Sequence, residues 1–216
     1  MTCQRPTKKV YFQDNVKLNT FMHETYPGIV EKARKENAEI YWGDETSINN
    51  QAYYIKGYSP KGKTPEIASF NKTEKINMVS AITNHGTCRF TCYEENMTQQ
   101  LFIDFMKRLV KDADRKVLFI VGNLRVHHGK MVNEWMDSHK DEIEIFFMSP
   151  HSPEINPDEY LNHNLKQNVH SGIIPHTKEQ IQKKTEAYMH GLQEHKERVT
   201  SLFKHKKLNY IKIYSC

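Results

Sequence analysis

KVLFIVGN, residues 116–123, decides how the rest of the chain is read. Its apolar run, Val117-Leu118-Phe119-Ile120-Val121, has no polar alternation, the pattern of a parallel strand buried on both faces. Gly122 ends the run; Asn123, two histidines and a helix bearing Val132, Trp135 and Met136 follow. Working upstream, a helix from about residue 96 presents Leu101, Phe102, Phe105, Met106, Leu109 and Val110 at helical spacing, with Asn96 and Gln99 placed as a capping box. Before it, residues 75–82 and 87–93 alternate around Asn84-His85-Gly86, a hairpin signal. Residues 46–71 contain KGYSPKGKTP and read as loop. Residues 38–43 read as a strand that delivers Asp44 at its end, and residues 15–35 as a helix.

Downstream, residues 143–148 form another apolar strand, and Pro157 suits the first turn of a helix that buries Leu161 and Leu165. A last helix starts at Thr177, with Gln180 completing a second capping box. Its stripe, Ile181, Thr185, Tyr188, Leu192, His195, Val199 and Leu202, could pair with a second copy, but packing on the sheet is the preferred assignment. A hairpin followed by strand–helix alternation implies a mixed sheet with helices on both faces, an α/β or α+β three-layer sandwich.

The 216 residues suffice for one well-buried core, and 38% hydrophobic with 26% charged residues is an ordinary globular balance. No apolar run approaches a membrane span, and MTCQRPTKKV lacks the apolar region of a secretory signal. A net charge of +5 permits a polyanionic partner without requiring one. Cys3, Cys88, Cys92 and Cys216 have neither zinc-site nor disulfide-framework spacing, so free thiols in a reducing cytosol are expected. No serine or cysteine sits in a recognisable activated setting, which argues against covalent nucleophilic chemistry.

Asp44 at a strand end and Glu159 in a helix's first turn are rigid mounts for hard oxygen ligands. Metal-assisted phosphodiester cleavage needs such carboxylates to hold two divalent ions about 3.5–4 Å apart. Four blocks surround them in order: GDET at 43–46, GYSPKGKTP at 57–65, GNLRVHHGK at 122–130 and SPEINPDE at 152–159. Thirty-six residues separate Gly122 from Glu159. From about residue 8 to residue 210 the chain resembles the catalytic core of the DDE transposases, in the bacterial insertion-sequence branch of the mariner superfamily.

The resemblance implies a ribonuclease H-like three-layer α/β/α sandwich with a mixed central sheet. It implies DNA cleavage by hydrolysis and joining of 3′ ends by in-line transfer, with two Mg²⁺ or Mn²⁺ ions. Asp44 and Glu159 match the first and third catalytic, metal-binding acids, while Gly122 stands where the family has the second, an aspartate. Asn123 and His127 match family positions that steady the site and contact substrate, and Asp158 reads as a first-turn acid favoured by the helix dipole. Residues 1–37 would be a linker and helical lead-in, and 38–216 the catalytic domain. Helix-turn-helix modules that normally precede this domain would be truncated or carried by a separate polypeptide.

Lys56, Lys61, Lys63, Lys72, Lys75 and Arg125 are candidate phosphate contacts, which position DNA without reading its sequence. The run Lys204-His205-Lys206-Lys207 is a further candidate. Expected partners are DNA, as transposon ends and target, and optionally a second copy of the chain; the expected location is the cytoplasm of a bacterium, at the nucleoid. With Gly122 in place of an acid, the expectation is an impaired catalytic domain. The alternative is a DNA-binding remnant or regulator of an active relative, and a weaker one is a different metal nuclease on the same fold.

Overall fold

The computed structural model describes residues 14–51, 60–63, 71–150 and 152–214. Its centre is a five-stranded mixed sheet in the order β3-β2-β1-β4-β5. The strands are β1 (Glu39–Asn49), β2 (Lys75–Ile82), β3 (Cys88–Tyr93), β4 (Val117–Val121) and β5 (Ile143–Phe147). β1, β2 and β3 pair antiparallel, and β1–β4 and β4–β5 pair parallel. Every residue of β4 is buried, as its unbroken apolar run requires of a strand covered on both faces.

The period-two pleat sorts the side chains into two cores. Trp42, Ile48, Ile76, Met78, Ile82, Leu118 and Ile120 face α2 (Tyr26–Glu36), α5 (Pro157–Val169), α6 (Lys178–Glu194), α7 (Lys196–Leu202) and α8 (Asn209–Tyr214). Tyr41, Val79, Ala81, Val117, Phe119 and Val121 face α3 (Gln99–Lys111) and α4 (Lys130–Ser138). Helices therefore cover both faces, giving the three layers. Cys88 and Cys92 are free thiols packed with the first core; Cys3 and Cys216 lie outside the described residues.

Local signals mostly hold. The lead-in helix is α1 (Asn15–Thr20), a π turn (Phe21–Thr25) and α2. The π turn closes when the Tyr26 N–H donates to the Phe21 carbonyl, one residue before Pro27, which has no N–H to give. Phe21 of the π turn and Tyr26, Ile29 and Val30 of α2 belong to the core. The hairpin turns on Gly86 at φ +94°, a conformation that favours glycine.

Three expectations need correction. First, β1 does not end at Asp44 but runs to Asn49, because β2 continues the antiparallel ladder to Asn49↔Lys75 after β4 has stopped. Second, α3 is capped by Thr98, whose hydroxyl accepts from the Leu101 N–H, and not by Asn96. Gln99 instead accepts from the Met131 N–H and ties α3 to the start of α4. Third, the last amphipathic stripe is not one helix: it breaks at His195 (φ −117°, ψ 74°) into α6 and α7. Ile181, Thr185, Leu192, Val199 and Leu202 are still buried, with α6 packed on β2 and β3. At Thr177 the cap forms, but Gln180 returns its bond to the His176 N–H.

Candidate active site

Asp44 lies within β1, two residues past the point where the parallel β1–β4 ladder ends at Trp42↔Ile120. Extended by two residues, the same register brings Asp44 abreast of Gly122. The β1 pleat puts Asp44 on the Trp42 and Ile48 side, facing α5, and Glu45 on the opposite face. Gly43 is required before it, since a Cβ there would sit 2.5 Å from the Phe119 ring and 2.9 Å from the Ser80 carbonyl.

α5 brings the third-acid block to that face. Asn156 caps the helix, accepting from the Asp158 N–H at 3.0 Å and donating to the Gly43 carbonyl at 3.3 Å. Pro157 occupies the first turn, as the sequence implies. Asn162 donates to Asp44 Oδ2 at 3.1 Å. Asp158, wholly buried, accepts from the Ser80 hydroxyl at 2.7 Å. It is therefore a first-turn acid, as the sequence implies, but an interior one.

Burial pushes the Asp44 carboxyl up to about 9, and the charges of Glu159, Asp158 and Glu45 push the same way. Burial likewise holds Asp158 well above the usual carboxylate range, outweighing the Ser80 hydrogen bond. Asp158 Oδ1 and Asn162 Oδ1 are buried without a hydrogen-bond partner among the described residues. Crowded negative charge, orphaned oxygens and an all-oxygen donor set suit a hard divalent cation. Among the described residues, however, no three histidine, cysteine, aspartate or glutamate side chains are grouped to hold one.

The folded state thus prefers Asp44 protonated. Its contribution to stability is complete below the ordinary value of 3.8 and is lost as pH rises through about 9. Asp44→Asn should raise the melting temperature at pH 8 by about 5 °C and leave it unchanged near pH 4. Thermal scans at the two pH values decide it; an equal shift at both would remove the electrostatic cause.

Gly122 follows β4 with open space around it: an added Cβ meets nothing within 4 Å. Its carbonyl accepts from His127 Nδ1 at 2.9 Å, and His127 Nε2 lies 2.7 Å from Glu45 Oε1. The buried His127 ring stacks on Phe102 at 4.2 Å. With Nδ1 facing the Gly122 carbonyl, Nε2 is left to the Glu45 carboxylate, so both ring nitrogens are engaged. His127 thereby fastens the Gly122 turn to the strand that carries Asp44. Asn123 is exposed and hydrogen-bonds His128.

A model of the DDE superfamily endonucleases matches residues 39–195, which span every element just described. The chain belongs to that family. No curated protein matches it. Among solved structures it is similar to Mos1 transposase in a pre-cleavage transpososome, with TM-score 0.68 and 13% identity over 96% of this chain and 66% of that one. It is similar to Mos1 in a strand transfer complex, with TM-score 0.71 and 15% identity over 99% and 65%. The isolated catalytic domain of Mos1 mariner transposase gives TM-score 0.58 and 12% identity over 95% and 97%. The chain thus spans 65–66% of the length of the first two. At these identities the likeness concerns the fold, which is ribonuclease H-like.

Of the candidate phosphate contacts, Lys61, Lys63, Lys72, Lys75 and Arg125 are exposed. Lys72 pairs with Glu74, and Lys56 lies outside the described residues. Among the described residues no helix is long and apolar enough to cross a membrane. Ser80, Glu45, Asn156 and Asn162 are site residues that sequence reasoning missed. Two signals were available: a serine inside the apolar strand KINMVSAI, and Asn162 four residues after Asp158 on one helix face.

Proposed function

We propose that this chain is the catalytic domain of a transposase in the bacterial insertion-sequence branch of the mariner superfamily, impaired at the second of its three acids. The observation that carries it is the meeting of β1 and α5 at Asp44, which accepts from Asn162 and feels the charge of Glu159, with Asp44 in register with Gly122. The catalytic domain would run from residue 38 to 216, with residues 1–37 as its lead-in.

Asp44 and Glu159 would be the metal ligands, and Gly122 marks the place of the absent one. Asn162 orients the Asp44 carboxylate, and the buried Asp158 braces β2 against α5 through Ser80. His127 fixes the turn that presents residue 122, while Asn123 is free of the core to meet substrate. When bound, Mg²⁺ or Mn²⁺ would supply a polarised nucleophilic oxygen and charge neutralisation at the leaving oxygen. Mos1 paired-end complexes exist with Mg and with Mn, which supports this choice of ions. Lys61, Lys63, Lys75 and Arg125 would contact DNA phosphates. Recognition of transposon ends would come from a helix-turn-helix module on this or another polypeptide, and pairing of ends from a second copy.

Gly122 also favours the alternative, a DNA-binding remnant that regulates an active relative. Plasmid nicking in Mn²⁺ separates the two. The chain as it stands should nick negligibly, Gly122→Asp should nick, and Gly122→Asp combined with Asp44→Ala should not. A folded Gly122→Asp protein without nicking activity would leave the remnant as the better account; nicking by the unaltered chain would remove the impairment.

A further inference from the structure

The run Lys204-His205-Lys206-Lys207 has no part in the site described above, yet the fold fixes it beside that site. All four residues are exposed, in the segment after α7 and in the 3₁₀ turn Lys206–Leu208. Phe203 and Leu208, on either side, are buried in the core. Two contacts then tie the segment to the third-acid block. The buried Tyr210 hydroxyl donates to the Ile155 carbonyl at 2.7 Å, and the His205 ring lies 4.3 Å from the ring of Tyr160, the neighbour of Glu159. Tyr160 is itself held by its hydroxyl, which donates to the Glu154 carbonyl at 2.9 Å.

The charges on this turn are uncommitted. Lys32, Lys35, Lys116 and Lys178 each sit beside a carboxylate. Among the described residues, Lys204, Lys206 and Lys207 form no ion pair. The end of α7 does not account for them, because Lys206 and Lys207 lie beyond its last turn, where the helix dipole has faded. Three unpaired ammonium groups on a pinned turn are suited to successive phosphates of a polyanion.

We propose that this turn is a phosphate-backbone contact for the DNA strand entering the Asp44–Glu159 site; it rests on the nuclease assignment above. The contact reads no sequence and adds steeply salt-dependent affinity. The test is fluorescence anisotropy of an arbitrary duplex of about 30 base pairs with the whole chain, over about 50–200 mM salt. Two triple variants are compared: Lys204→Ala/Lys206→Ala/Lys207→Ala, and a control, Lys107→Ala/Lys111→Ala/Lys140→Ala, which removes three exposed lysines on the side of the sheet covered by α3 and α4. Circular dichroism and melting temperature establish that both fold.

The first variant should weaken binding at least about tenfold and flatten the log–log salt slope by about two to three. The control should change binding less than about twofold. Equal binding by the unaltered chain and the first variant would overturn the turn's role while leaving the nuclease assignment intact. No duplex binding by the unaltered chain even at low salt would overturn both. Binding to anionic phospholipid vesicles in place of duplex would assign the turn to a membrane surface and overturn the proposal.

Discussion

Replacing Gly122 with aspartate should raise Mn²⁺ affinity by up to about a thousandfold, and the gain should vanish when Asp44 is also changed to alanine. The estimate follows from charge: at an effective dielectric of 20, one unit pair about 4 Å apart is worth roughly 4 kcal/mol. That corresponds to about three decades in a binding constant. Nothing steric opposes the change, because residue 122 has open space around an added Cβ and no left-handed backbone. The pleat phase of Leu118 and Ile120, continued to residue 122, points its side chain to the face that Asp44 uses. The repaired site must still displace the proton that Asp44 holds up to about 9. Binding should therefore release protons and strengthen as pH rises from about 6 to 9, with the neutral-pH gain below the full thousandfold. Isothermal calorimetry in buffers of different ionisation enthalpy reads affinity and proton release together. Unchanged weak binding in folded Gly122→Asp would mean that residue 122 is not the second-acid position. Tight, Asp44-dependent binding by the unaltered chain would mean that glycine is tolerated there.

That the strand ending before Gly122 could be read from sequence reflects where information is local. The run ending at Val121 is apolar at every position, and burial on two faces follows from that alone. The hairpin was legible because its turn residues are contiguous, and Pro157 marks a helix start wherever it stands. What sequence did not yield is non-local. Asp44 was expected at a strand end because Thr46-Ser47-Ile48-Asn49 is polar enough to pass for loop. It is strand because β2, some thirty residues later, supplies hydrogen-bond partners. Asn162 reaches Asp44 across 118 positions and Ser80 reaches Asp158 across 78, and nothing in either neighbourhood announces the contact. His127 was legible as a family position, but its partner was not: Glu45 lies 82 residues away and looked like the neighbour of the important acid.

That partner makes His127→Ala the most damaging single change expected near the site. The ring is wholly buried and uses both nitrogens, and the Glu45 side chain is 11% exposed. Removing the imidazole leaves the Gly122 carbonyl without its donor, opens a cavity over Phe102 and strands a largely desolvated carboxylate. Breaking one side of a buried pair costs about 3–5 kcal/mol. For a chain of this length that lowers the melting temperature by roughly 10–15 °C. The carboxylate dominates this loss, so the second site distinguishes mechanisms. Glu45→Gln keeps a hydrogen-bonding partner for Nε2 and removes the charge, and alone should cost about 1 kcal/mol. In the double variant the stranded charge is gone, so His127→Ala should cost at least about 1 kcal/mol less when Glu45→Gln is already present. Equilibrium denaturation of the four proteins closes the cycle. Strict additivity would make the pair incidental and leave cavity formation as the whole cost. A positive coupling would make Glu45 the counter-charge that seats His127, and through it the Gly122 turn, beside Asp44.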